Sequence, residues 1–169
     1  MKDLPDTGMT SSLLPMQIRM RAELRDRLKS FDFTYFITLA TSHQQFSPSK
    51  MRSLLKQWDA RVNRSINGPR WARRPDERLI WFAFLEKASV NPHWHLIVEV
   101  DPWIIEGGRA QRTSKLPDVS KQHWEKLVPQ GTFDCQDVES PAVIDYVTKV
   151  VAAEQNFENF ILSREFINN

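Results

Sequence analysis

The run Leu79-Ile80-Trp81-Phe82-Ala83-Phe84-Leu85-Glu86-Lys87, the link Ala88-Ser89-Val90-Asn91 and the run Pro92-His93-Trp94-His95-Leu96-Ile97-Val98-Glu99-Val100-Asp101 decide the fold. Both runs are rich in aromatic and β-branched residues, and the link is short enough for an antiparallel hairpin. In a strand, residues i and i+2 point to the same side. His93 and His95 therefore stand side by side, leaving Trp94, Leu96 and Val98 on the opposite face to pack. Glu86 shares a face with Phe84 and Phe82, a carboxylate closing an apolar row, and hairpin pairing can bring it beside the histidines. Two neutral imidazoles and a carboxylate form a donor set for a divalent metal. Glu99 has the parity of the histidines but lies further along, as a reserve ligand.

Outward from the hairpin, the pattern alternates between helix and strand. Met16, Ile18, Met20, Leu24 and Leu28 recur at roughly helical spacing, which predicts an amphipathic helix over 15–30. Phe33 to Thr41 reads as a strand. Ser47-Pro48-Ser49 starts a second helix that packs Leu54, Leu55 and Trp58, and Asn67-Gly68-Pro69 ends it. Pro102 to Pro117 reads as irregular, with Gly107-Gly108 permitting a turn, and Asp118 to Leu127 as a short helix. Gly131 to Val138 is another strand, and Ser140-Pro141 caps a helix over Ala142–Ala153. Phe157, Phe160, Ile161 and Phe166 give the tail apolar surface to dock on the body. The predicted class is α+β, with a central, largely antiparallel sheet flanked by helices.

With 169 residues the chain fits one domain, read as a loose lead-in over 1–14 and a single domain over 15–169. Its apolar runs are too short to span a bilayer, and Met1-Lys2-Asp3 opens no secretory signal. Cys135 is the sole cysteine, which excludes an intrachain disulfide, fits a reducing cytoplasm and reads as a small buried apolar side chain. The net charge of +2 is uneven. Between Lys50 and Ile80 nine basic residues face three acids, so the rest of the chain is acidic. Arg61, Arg64, Arg70, Arg73 and Arg74, interleaved with Trp58 and Trp71, suit phosphates and stacked bases; the plainer reading is a solvated helix face and a basic loop.

Tyr146 and Lys149 are three apart and share a helix face beside the stripe Val143, Val147 and Val150. Alone, this pair reads as an ordinary amphipathic helix. Its position after the metal-type strand adds a chemical reading, in which a phenol attacks a phosphate and Lys149 stabilises phenolate or phosphate charge. Tyr35, the other tyrosine, is better explained by packing.

Three motifs in this order resemble the HUH endonucleases, in particular the single-tyrosine replication-initiator (Rep) branch. Tyr35-Phe36-Ile37-Thr38-Leu39-Ala40 looks like the first-strand motif, Pro92-His93-Trp94-His95-Leu96-Ile97-Val98 like the His-hydrophobic-His motif, and Tyr146-Val147-Thr148-Lys149 like the Tyr-x-x-Lys motif. The resemblance covers 31–151 and places Glu86 where many members carry a third metal ligand. It implies a palm related to the RNA-recognition and ferredoxin-like folds. It further implies that His93, His95 and Glu86 hold Mn²⁺ or Mg²⁺, and that Tyr146 cleaves single-stranded or hairpin origin DNA through a covalent 5′-phosphotyrosine. Such chemistry would initiate rolling-circle replication in the cytoplasm, alongside host helicase and polymerase.

No Gly-x-x-x-x-Gly-Lys loop occurs, so unwinding would come from a host enzyme or from a longer protein. A single-tyrosine transposase of the same superfamily is the nearest rival; those usually carry glutamine where this chain has Lys149. Ile97 breaks the pattern of a histidine-triad hydrolase. A DNA-binding module without chemistry is the alternative from another class.

Overall fold

The computed structural model describes residues 15–100, 108–154 and 159–167. Its elements, in chain order, are α1 (Pro15–Leu28), β1 (Tyr35–Ala40), α2 (Pro48–Asn67), β2 (Ile80–Glu86), β3 (His93–Glu99), α3 (Gly108–Leu127), β4 (Thr132–Asp137), α4 (Ala142–Glu154) and β5 (Phe160–Leu162). The strands form one sheet in the order β4-β1-β3-β2-β5, and every neighbouring pair is antiparallel. The α+β class with a flanked antiparallel sheet is therefore what the chain adopts.

Strand alternation sends each residue set to its own helical layer. Ile37, Leu39, Trp81, Leu85, Trp94 and Leu96 pack under α2 and α3, against Met51, Leu55, Trp58, Leu116 and Trp124. Phe82, Phe84 and Ile97 face the other way and meet Leu28 of α1 and Ile144 and Val147 of α4. The larger core lies on the first side, where four buried indoles each find an acceptor. Trp58 donates to the Ser120 carbonyl, Trp94 to that of Met51, Trp124 to that of Ala40, and Trp81 to the Asp59 carboxylate. A tryptophan offers large apolar area at the cost of one N–H to satisfy. Truncating one such side chain costs about 3–5 kcal/mol.

The ends of α2 follow the expected chemistry. Ser47 Oγ accepts from the Lys50 N–H at 3.2 Å, Pro48 occupies the first turn, and Gly68 closes the helix at φ 82°. Ser140 likewise receives the Ala142 N–H at 3.4 Å ahead of α4. Elsewhere the structure departs from expectation. The helix placed at Asp118 starts at Gly108 and runs through Pro117, so 108–117 are helical rather than irregular. Proline disfavours a helix interior, but Leu116, Trp124 and Val128 form a buried stripe that outweighs the lost hydrogen bond. In α1 only Leu28 is fully buried, while Met16 and Ile18 are exposed, so the expected apolar stripe packs at one end only. The tail docks as β5 on β2, with Ile161 and Phe166 buried. The lead-in 1–14, the stretch 102–107 and Phe157 lie outside the described residues. Among those described, no helix is long and apolar enough to cross a membrane.

Gly131 joins α3 to β4 where the chain has no room for a side chain. A Cβ there would lie 2.7 Å from the Ala40 carbonyl oxygen and 2.9 Å from Val128 Cγ1. Gly131→Ala is expected to destabilise the fold by about 1–3 kcal/mol. Thermal or urea unfolding measures this, and unchanged stability would mean that the turn yields freely.

Candidate metal centre

The β2–β3 register builds the centre. Glu86 pairs with His93 and Phe84 with His95, so the carboxylate at the end of β2 faces both imidazoles across one ladder. Glu86 Oε2 lies 3.1 Å from His93 Nε2 and 3.2 Å from His95 Nε2. One ligand atom from each residue falls within 4.8 Å of the others. His93 is 9% exposed and His95 7%. The three side chains thus form a shielded group that could bind a metal ion.

The ring orientation is set from behind. His93 Nδ1 lies 2.8 Å from the Asn91 carbonyl oxygen, which can only accept, so Nδ1 carries a hydrogen and Nε2 is the atom turned toward Glu86. His95 Nδ1 lies 3.0 Å from Thr38 Oγ1, brought alongside by the β1–β3 register. A lone pair facing a carboxylate oxygen repels unless a proton or a cation lies between them. Burial lowers the pKa of His95 and outweighs the opposing pull of Glu86, and the neighbouring His93 lowers it further. Its imidazole therefore favours the neutral, ligand-competent form. The donor set, its convergence and its oriented imidazoles all fit a divalent cation.

Backbone strain collects around the same spot. The non-glycine residues with left-handed φ among those described are Ser42 (50°), His43 (67°) and Lys87 (48°). They lie in the loops that follow β1 and β2 at the end of the sheet where His93 begins β3. Asn91 ties those loops together: its Oδ1 accepts from the His43 N–H at 3.0 Å, while its own carbonyl holds His93. Thr41 Oγ1 adds a bond to the Pro92 carbonyl at 3.0 Å.

Tyr146 comes to this centre from α4. Its ring centroid lies 5.6 Å from that of His95 and 5.9 Å from that of Phe36, edge-on to both. Phe36 stacks on His95 at 5.2 Å. Tyr146 is 48% exposed, so the phenol borders the shielded cluster and remains reachable. Burial, and secondly the Glu86 charge, push its pKa above the usual phenol value. Lys149 follows one turn later and is exposed. Glu86, His93, His95 and Tyr146 are thus brought together, three of them by adjacent strands and the fourth by the helical layer above.

Other expected residues lie elsewhere. Glu99 is not a reserve ligand: it sits at the far end of β3, where Oε1 accepts the Asp32 N–H at 3.0 Å. Trp58 is fully buried in the core and cannot stack on a base. Arg61 and Arg64 are exposed on α2, in the layer opposite the metal centre. Arg70, Arg73 and Arg74 precede the start of β2, roughly 20 Å of strand from Glu86. Arg78 is buried in an ion pair with Asp59 and lies 4.8 Å above the Trp71 ring, a structural role. Cys135 is half-buried, and burial with Asp137 and Asp134 pushes its thiol up to about 12, far from reactive. Thr38, Phe36 and Asn91 had no assigned role in the sequence. Parity puts Thr38 on a definable face, but only the register shows that the face is the histidines' own.

Thr38→Val removes the hydroxyl behind His95 with little change of volume. It is expected to weaken Mn²⁺ binding roughly tenfold to a hundredfold, with Thr38→Ser restoring it. Titration calorimetry reads both, and unchanged affinity in the valine variant would remove Thr38 from the centre.

Comparison with family models, with curated proteins and with solved structures found no match to this chain. Its functional reading therefore rests on its own geometry.

Proposed function

We propose that the chain is a metal-dependent nuclease and strand transferase that nicks and rejoins single-stranded DNA through a covalent tyrosine, as HUH replication initiators do. One observation carries this reading: a half-exposed phenol, Tyr146, stands beside the shielded Glu86, His93 and His95 cluster. Two imidazoles and one carboxylate favour Mn²⁺ over the strictly oxygen-seeking Mg²⁺. The donor set alone would also suit Fe²⁺. The neighbouring phenol and the basic face of α2 turn the reading toward phosphodiester chemistry.

A bound divalent ion would polarise the scissile phosphate and offset its charge. Tyr146 supplies the attacking oxygen. Its Oη–P bond forms as the P–O3′ bond breaks, the phenolic proton passes to solvent, and the departing 3′ oxygen takes one from solvent to become a free hydroxyl. The phosphate stays on tyrosine as the 5′ end of the downstream strand. Attack by a 3′ hydroxyl reverses the exchange and returns the proton to the phenol, so joining needs no outside energy source. Lys149, one turn along the same helix, would balance negative charge on the phosphate. In the metal-free protein the Glu86 charge opposes loss of the phenolic proton, which links the nucleophile's activation to charge balance at the cluster.

The acid content of α2 supports a nucleic-acid partner. Its one acid, Asp59, is buried with Arg78, so its solvent side carries Lys50, Lys56, Arg61 and Arg64 with no opposing charge. Lys50, Arg61 and Arg64 fall close to whole numbers of turns apart and form one stripe about 20 Å long. A phosphate backbone suits such a stripe. Because it lies behind the sheet, it would hold a flanking segment of the substrate, an origin stem or its single-stranded arm.

Tyr146→Phe removes one oxygen from a half-exposed ring and should leave fold stability within about 0.5 kcal/mol. No denaturant-stable protein–DNA adduct should form with single-stranded DNA and Mn²⁺; an adduct at the normal level would dismiss this nucleophile. The pair Arg61→Ser and Arg64→Ser should flatten the salt dependence of DNA binding by about 0.7 in log–log slope per lost contact, while the bound substrate is still nicked. An unchanged slope would leave that helix face without a role in binding.

A further inference from the structure

We infer that the cavity beside Phe36 is a recognition site for the nucleobase directly flanking the scissile phosphate, and that it selects a base carrying an exocyclic amino group. This rests on the nicking reading above and names a specificity determinant for the same site. The cavity holds about 420 Å³ and lies between β1, the end of β4 and the start of α4, with Phe36, Gln136, Asp137, Glu139 and Ser140 in its wall. Its size falls in the range of small-molecule pockets.

Phe36 joins the cavity to the metal centre. The same ring that lines the cavity stacks on His95 at 5.2 Å and meets Tyr146 at 5.9 Å. A base held against Phe36 is thus about one nucleotide from the phosphate that Tyr146 would attack. The sheet itself is open there. Gln136 pairs with Phe36, Asp134 with Thr38 and Thr132 with Ala40, so these β4 side chains share the histidines' face, and all three are exposed. No helix covers that strip among the described residues, which leaves a ledge leading to the centre.

The wall's chemistry excludes a phosphate and calls for a donor. It contains no cation, and Glu139 enters no ion pair among the described residues; Asp137 lines the wall at the end of β4 but has the parity of Cys135, which turns its carboxylate to the other face. The Gln136 amide nitrogen donates to Asp134 Oδ2 at 2.8 Å, leaving the amide oxygen to accept. The Glu139 carboxylate and the Gln136 amide oxygen accept N–H from the amino groups of guanine, cytosine or adenine, whereas the one ring N–H of thymine sits between two carbonyl oxygens that such acceptors repel. The aromatic wall adds a stacking surface that is indifferent to base identity. Orientation therefore comes from Phe36 and selection from the acceptors.

A randomised single-stranded DNA pool incubated with the intact protein and Mn²⁺, followed by isolation and sequencing of the covalent adducts, tests this. Amino-bearing bases should be enriched over thymine by roughly tenfold or more at one position next to the nick. Gln136→Leu with Glu139→Gln should bring that position towards parity and leave preferences elsewhere unchanged. Adducts with no bias beside the nick, or with a bias that the double variant does not move, would overturn the base site while nicking stands. No adduct from any sequence would sink the nicking reading itself, and the base site with it.

Discussion

A single carboxylate oxygen within hydrogen-bond reach of two imidazoles is the constraint around which this end of the molecule is organised. Glu86 Oε2 is within 3.2 Å of Nε2 on both histidines, and the Asn91 carbonyl keeps the hydrogen of His93 on the far side of its ring. In a shielded site such close polar groups must satisfy one another, because burial removes the water that would otherwise solvate them. A cation bound here would find three ligands already in place. The surrounding structure resists relaxation: the rings are fixed by Thr38 and Asn91, and the loops behind them contain residues in left-handed backbone conformations. Such conformations cost of order 1–3 kcal/mol each and persist where their surroundings overdetermine them.

The division of labour between the two sheet faces explains how the fold tolerates such a centre. Stability is concentrated under α2 and α3, where Trp58, Trp81, Trp94 and Trp124 are buried and hydrogen-bonded. The other face is packed only in part, by Phe82, Phe84 and Ile97 against α1 and α4. Its remaining strip runs from the metal cluster across Thr38 and Phe36 to the exposed edge of β4. Because strand residues alternate, Trp94 can anchor the core between two histidines that face the opposite way. The tightly packed side chains and those that could bind a metal thus occupy successive positions of one strand without competing for space.

That same alternation is why the centre was legible in the sequence. His93, His95 and Glu86 could be placed on one side of a hairpin by parity and a short link alone, and Ser47 and Ser140 marked helix starts by their hydrogen-bonding chemistry. Facts that depend on register or tertiary packing were not legible. Glu99 has the right parity, but only the length of β3 shows that it ends beside Asp32 instead. Pro117 reads as a break because local propensity opposes it, whereas burial of Leu116 and Trp124 carries the helix through. Trp58 fitted a basic, aromatic binding segment until packing put it in the core. Composition records which residues are close in sequence; it carries no information about which of them reach solvent.

Placing the phenol on a helix rather than on a strand reconciles two opposed demands. A cation held by few ligands benefits from a dry, rigid setting, which the strands provide. The proposed nucleophile would have to be reached by a bulky chain, and Tyr146 is 48% exposed while its ring still borders His95. Ile144 and Val147 on either side of it are buried against the sheet, so the helix is anchored next to the reactive residue. Asp145 adds an ion pair to Arg25 of α1 at 2.6 Å; both partners are well exposed, which limits its contribution to about 1 kcal/mol or less. The apolar contacts therefore set the height of α4 above the sheet. Any change at Ile144 or Val147 that lifts this helix would separate the phenol from the cluster while leaving the three metal-type ligands where the strands hold them.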